Sequence, residues 1–190
     1  LNLKELLDIA SLIRTARMVR GYLSEEREIS TCLDGLFNSL SANKHLEECI
    51  TRAIISEEEV ADAASPALAD VRRKIRGANG KIRDVLQKIV SSPTQSKYLQ
   101  ENIITQRSGR YVVPVKSEHK GDIGGLVHDV SSSGATLFVE PMQVVSLNNE
   151  LRELQTKEKK EIERILAELS AEAAAHRESA RFLPRSTVAI

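Results

Sequence analysis

The chain has 190 residues, 41% of them hydrophobic and 28% charged, and its 27 basic and 27 acidic side chains cancel to no net charge. Neutrality excludes a nucleic-acid argument from a chain-wide basic surplus, so any such argument rests on local clusters. Aromatic residues make up only 3%, with no Trp; that disfavours base stacking and suits thin, elongated helical structure packed by Leu, Ile, Val and Ala.

The two cysteines, Cys32 and Cys49, form no Cys-x-x-Cys pair and no zinc-type spacing with a histidine, so the expectation is two reduced thiols in a helical core and no metal site. No apolar run approaches the roughly 18 residues that span a membrane. Leu1-Asn2-Leu3-Lys4-Glu5 has no signal-peptide shape, and the first residue is not Met. The expected setting is therefore a reducing, cytoplasmic one, with the chain beginning inside a longer protein.

Residues 1–23 read as a helix, with Leu3, Leu6, Leu7, Ala10, Leu12, Ile13, Ala16, Arg17 and Val19 on its broad face and Gly21 and Ser24 at its end. Residues 25–42 are irregular. Asn43 is placed to cap a short helix carrying Leu46, Cys49, Ile50 and Ala53 on one side. From Leu68 the steps of three and four through Val71, Ile75, Ala78, Ile82, Val85 and Ile89 form a heptad seam, which runs through Gly77 and Gly80 and stops before Pro93. Residues 101–140 change to β-type runs. Tyr111–Val115 is one strand. Leu126–Val130 and Ala135–Pro141 are two more, joined by Ser131-Ser132-Ser133-Gly134 as a hairpin in which Gly134 is free to take positive φ. A second long helix follows on Val144, Leu147, Leu151 and Leu154, slips by one residue near Glu158, and resumes at Ile162, Ile165 and Leu169.

These elements predict a mainly α chain with a small antiparallel β insertion. Residues 1–54 are a helical base, 55–100 a first arm, 101–141 a β-rich head, 142–178 a second arm and 179–190 a connecting segment in which Val188-Ala189-Ile190 reads as a strand. Neither arm buries its stripe alone, so the two are expected to pair as an antiparallel coiled coil with the sheet at the tip.

No phosphate-binding Gly-rich loop, His-x-x-x-His pair or Gly-x-Ser-x-Gly elbow is present. His128, Asp129 and Ser131 to Ser133 are too local to build a relay and read as a polar turn. No catalytic residue is expected in this chain. Two basic clusters remain. The head carries Lys97, Arg107, Arg110, Lys116, His119 and Lys120, and the first arm carries Arg72, Arg73, Lys74, Arg76, Lys81 and Arg83. Charge separated in this way binds a phosphate backbone locally; as the ordinary alternative, the arm cluster is the outer face of a coiled coil. Phe138-Val139-Glu140 matches the Phe-x-Glu wedge of mismatch readers, but Phe138 in a strand reads more simply as core.

Three runs carry a resemblance. They are Arg107-Ser108-Gly109-Arg110-Tyr111-Val112-Val113-Pro114-Val115-Lys116, then Gly124 through His128-Asp129-Val130 and Ser131 to Pro141, then Asn148-Asn149-Glu150-Leu151. In order and type they resemble the second bacterial MutS family, the MutS paralogue that carries a C-terminal Smr nuclease domain. The resemblance extends more loosely over residues 1–178, as the core, lever and clamp of that family. It implies a homodimeric parent with a MutS-type ATPase domain using ATP and magnesium, acting on branched DNA to restrain homologous recombination, and also linked to rescue of collided ribosomes. The ATPase and Smr motifs are not in this chain, so neither activity belongs to it. The expected function is a lever and clamp gripping nucleic-acid backbone without base readout; the alternatives are a ribosome-binding arm or a purely structural dimer module.

Overall fold

A computed structural model describes residues 1–23, 34–35 and 43–180; the irregular 25–42 region, Cys32 and the strand expected at 188–190 fall largely or wholly outside them. The chain divides into two compact units, residues 1–69 with 160–190, and residues 70–159.

In the first unit, α1 (Leu3–Leu23) begins at a capping box. Asn2 Oδ1 accepts from Glu5 N and Glu5 Oε2 accepts from Asn2 N, both at 2.8 Å, which satisfies donors that a helix start leaves open. α2 (Lys44–Ala53) is capped as its sequence predicts, by Asn43 Oδ1 accepting from Leu46 N at 3.1 Å. The chain then folds back through β1 (Ile54–Ser56) and β2 (Glu59–Val60), an antiparallel pair. Leu6, Ala10 and Ile13 of α1 pack with Leu46 and Ile50 of α2, and with Ile165 and Leu169 further along the chain. The face of α1 is narrower than its sequence suggests. Leu12 is 69% exposed, and Arg17 turns to Glu47, its Nε donating to Oε2 at 3.1 Å.

The long helix α3 (Pro66–Ser91) starts with Ser65 Oγ accepting from Leu68 N at 3.0 Å and with Pro at its first position, where no backbone donor is lost. It runs through Gly77 and Gly80 without a break.

In the second unit four strands form one antiparallel sheet in the order β3-β4-β6-β5, with β3 Thr105–Arg107, β4 Arg110–Lys116, β5 Gly125–Val130 and β6 Thr136–Pro141. The β3–β4 turn is Ser108-Gly109, with φ of +52° and +75°, the paired positive angles of a two-residue hairpin whose twist matches its strands. Gly134 has φ +74° in the β5–β6 turn, as expected. α4 (Met142–Ala180) follows directly.

One face of the sheet, with Val113, Val115, Leu137 and Val139, shares a core with Ile82 and Leu86 of α3 and Val144 and Leu151 of α4. This differs from an arm pair with a separate sheet at its tip. Val71, Ile75 and Val85 of the seam are only half-buried, whereas Leu86, outside the seam, is fully buried. The reason is that α3 packs on a sheet as well as on a helix here, and needs a broader apolar face than an a/d stripe. The slip near Glu158 has a structural counterpart, because Glu158 pairs with Arg72 and the second unit ends at Lys159. No described helix is long and apolar enough to cross a membrane.

Candidate nucleic-acid interface

Strand alternation places Arg110, Val112, Pro114 and Lys116 on the face of β4 opposite to Val113 and Val115, with Val112 and Pro114 themselves buried and the two basic ends half-buried. Arg107 pairs with Arg110 and Phe138 with Pro114 across the ladder, so both lie on that face. The expected basic head does not converge there as one cluster. Arg110 and Lys116 are the two ends of a seven-residue strand, about 20 Å apart at ~3.3 Å per residue.

At the far end, Lys116 Nζ donates to the carbonyl oxygen of Lys97 at 3.0 Å. The Lys97 ammonium lies 4.8 Å from the centre of the Tyr98 ring, and that ring lies 4.9 Å from the ring of His119. Lys120 follows, exposed and outside any ion pair among the described residues. Lys97, Lys116, His119 and Lys120 thus form one group. Two carboxylates temper it: His119 Nδ1 is 2.8 Å from Asp122, and Nε2 is 3.7 Å from Glu118.

At the near end the arginines are engaged. The Arg107 guanidinium lies 3.9 Å over the Phe138 ring and 3.3 Å from Asp129. Phe138 is therefore half-buried beneath an arginine, and not in the core as its strand position suggested. Arg110 donates to Glu140 Oε1 at 2.8 Å and to Asn149 Oδ1 at 2.6 Å. Glu140 is 0% exposed, and also takes hydrogen bonds from Asn148 Nδ2 at 2.7 Å and from His128 Nε2 at 2.5 Å. Asn148 in turn accepts from Tyr111 N and donates to Tyr111 O. One buried carboxylate therefore joins β4, β5, β6 and α4. Glu140, His128 and Asn148 were not among the expected functional residues. Their signal was a carboxylate, an imidazole and an amide lying inside otherwise apolar strand and helix patterns.

The α3 cluster also divides. Arg72 is paired with Glu158 at 2.7 Å and is 18% exposed at the side chain. Arg73 and Lys74 both hold Asp70, the lysine at 2.6 Å. Arg83 lies 5.9 Å from the Tyr111 ring centre. Arg76 and Lys81 are exposed. The spacing of seven between Lys74 and Lys81, and between Arg76 and Arg83, makes two stripes on the helix.

No family model matches the chain. Curated relatives do. It is 49% identical over 175 residues to Endonuclease MutS2 of Ruminiclostridium cellulolyticum, covering 91% of this chain and 22% of that protein. It is 50% identical over 169 residues to Endonuclease MutS2 of Alkaliphilus oremlandii, covering 88% and 21%. The protein of the same name from Clostridioides difficile is 52% identical over 169 residues, covering 87% and 21%. Two small antiparallel sheets within a mainly helical chain, together with these matches, define a segment of a MutS-type protein. Within that class the chain belongs to the MutS2 family, as its motifs suggested, and spans about a fifth of the length of the relatives it matches.

Proposed function

We propose that this segment is the lever and clamp of a MutS2-type ATPase, and that it grips nucleic-acid backbone through Lys97, Lys116, His119 and Lys120. The observation that supports this reading is the contact of the Lys116 ammonium with the Lys97 carbonyl oxygen, which brings the two lysines together at the C-terminal end of β4, with the exposed Lys120 a few residues on. Arg107 adds a guanidinium at the other end of the same face, and Arg110 supports the sheet from within. The α3 stripes give a second, weaker electrostatic surface. α3 and α4 transmit nucleotide-dependent motion from an ATPase domain that uses ATP and magnesium, in a homodimeric parent that acts on branched DNA and restrains recombination. Lysines contacting phosphate provide no base readout, which suits recognition of DNA shape.

The test is binding of the chain to linear duplex, branched DNA and structured RNA across a salt series. The comparison is a variant with Lys97, Lys116 and Lys120 changed to Gln. Arg110 stays unchanged, because removing it disturbs the buried carboxylate. A clamp neutralising about three phosphates gives a log–log salt slope near −2.7 on duplex DNA, and the variant loses most of it. Binding that ignores both salt and the lysines overturns the reading, and preference for structured RNA over every DNA moves it to the ribosome-binding arm. A purely structural dimer role is favoured by one feature, the exposed Leu12 and Met18 on α1, at 69% and 66%; it predicts salt-insensitive self-association.

A further inference from the structure

His45 and Cys49 stand four residues apart on α2, so their side chains share a helix face. Glu172 of α4, in the same compact unit, meets them. Cys49 Sγ lies 3.6 Å from His45 Nε2, and His45 Nε2 lies 3.8 Å from Glu172 Oε1. The three donor atoms all fall within 4.8 Å of one another. They converge without bonding one another well: the imidazole–carboxylate separation is too long for a hydrogen bond, and sulfur is a weak partner.

A shared ion fits the distances better. Tetrahedral zinc, with bonds of about 2.3 Å to sulfur and about 2.0–2.2 Å to nitrogen and oxygen, places neighbouring donors roughly 3.3–3.6 Å apart. The sulfur–nitrogen edge is already at that length, the nitrogen–oxygen edge is a few tenths of an ångström long, and the sulfur–oxygen edge, within 4.8 Å, closes by rotation of the Glu172 side chain. A solvent-open cavity of about 440 Å³ lined by His45, Glu48, Cys49, Thr51 and Arg52 lies beside them. It gives an ion access and leaves room for a water as fourth ligand.

We propose that His45, Cys49 and Glu172 form a zinc site that ties α2 to the C-terminal part of α4. One sulfur, one imidazole nitrogen and one carboxylate oxygen select a borderline-soft divalent ion over magnesium or calcium. On binding, the Cys49 thiol releases its proton to solvent, the thiolate and the neutral His45 Nε2 each donate an electron pair to the metal, and no redox change occurs. The site is independent of the nucleic-acid reading and lies in the other compact unit. It goes beyond the expectation of no metal site, because the third ligand comes from a helix far along the chain, where sequence spacing does not point to it.

The probe is cobalt(II), titrated into the full 190-residue chain under a non-thiol reductant and followed by absorption, with zinc then added as competitor. The expected result is saturable one-to-one binding with a near-ultraviolet sulfur-to-cobalt band and visible bands of tetrahedral intensity, both erased by zinc. Cys49→Ser removes the sulfur band, and His45→Ala and Glu172→Gln each weaken binding about tenfold or more. Cys32→Ser leaves the titration unchanged. His45 is exposed and Cys49 and Glu172 are half-buried, and the substitutions are small, so far-ultraviolet circular dichroism is expected to match wild type in each variant. Zinc raises the melting temperature of the wild type and not of Cys49→Ser. Absence of saturable binding, a sulfur band that follows Cys32, or wild-type affinity in the ligand variants overturns the proposal.

Discussion

Glu140 has no solvent to fall back on, so its three donors are its entire solvation. Breaking a buried ion pair from one side strands the other charge, which typically costs about 3–5 kcal/mol. Arg110 retains 17% exposure at the side chain, and His128 and Asn148 remain as partners, so Arg110→Met is expected at the lower limit, about 3 kcal/mol. Adding Glu140→Gln to that variant removes the stranded charge and recovers a good part of the loss. Urea denaturation of the single and double variants measures this. A single-variant effect under about 0.5 kcal/mol, the range of ordinary surface changes, rules the network out as a stabilising element. The same geometry argues against a mismatch-reading wedge, which needs Phe138 and Glu140 both presented outward. Here the carboxylate is buried and the ring lies beneath Arg107.

At the scale of elements, β5 and β6 approach closely at Gly125. A Cβ built on Gly125 falls 2.2 Å from Glu140 O and 2.8 Å from Val139 Cγ1. The first of these is backbone, so strands β5 and β6 must part to admit it. Gly125→Ala is expected to cost about 2–3 kcal/mol, in the range of core overpacking, and to speed amide exchange along β6. Gly121→Ala, with nothing within 4 Å of its Cβ, is the matched control and stays within about 0.5 kcal/mol of wild type. Much at this scale was legible in the sequence. Asn43, the Ser131–Gly134 turn and the three-four spacing of the long helices each act locally, through a cap, a positive φ or one apolar face. The basic head was legible as composition and not as an arrangement, because strand length, and not sequence proximity, decides that Arg110 and Lys116 lie at opposite ends. Glu140 was hidden for a related reason. Its partners Arg110 and Asn148 come from β4 and α4, and no local pattern announces a pairing between such elements.

For the molecule as a whole, acid sensitivity follows from three carboxylates held below their usual range. Glu161 is lowered to about 2 by hydrogen bonds from Arg164 and Ser65. Glu47 is lowered by hydrogen bonds from Arg17 and Arg14, and Asp70 by a hydrogen bond from Lys74 with the nearby charge of Arg73 assisting. A carboxylate whose folded pKa is depressed adds stability that is complete above its unfolded value and is lost as pH falls toward the folded one. For Glu161 the window therefore runs from the ordinary glutamate value of 4.5 down to about 2. The melting temperature is expected to be flat near neutrality and to fall through this window. The deficit of Glu161→Gln relative to wild type is expected at pH 7 and to shrink as wild-type Glu161 itself protonates. A deficit that is the same at pH 2.5 and pH 7 disproves the assignment.

The buried carboxylate also constrains the order in which the second unit folds. β5 and β6 are joined by a short turn and can meet early, since closing a small loop is fast. That hairpin supplies Glu140 with His128 alone. Arg110 arrives only when β4 docks, and Asn148 only when the start of α4 packs down. A half-built sheet therefore has to keep Glu140 hydrated at its surface, and every partial structure that buries it early is penalised. Folding of the unit is thereby made cooperative. The closure of β4 and α4 over one charge is then the step expected to limit the rate, and Glu140→Gln is expected to speed refolding in a stopped-flow experiment even where it weakens the native state.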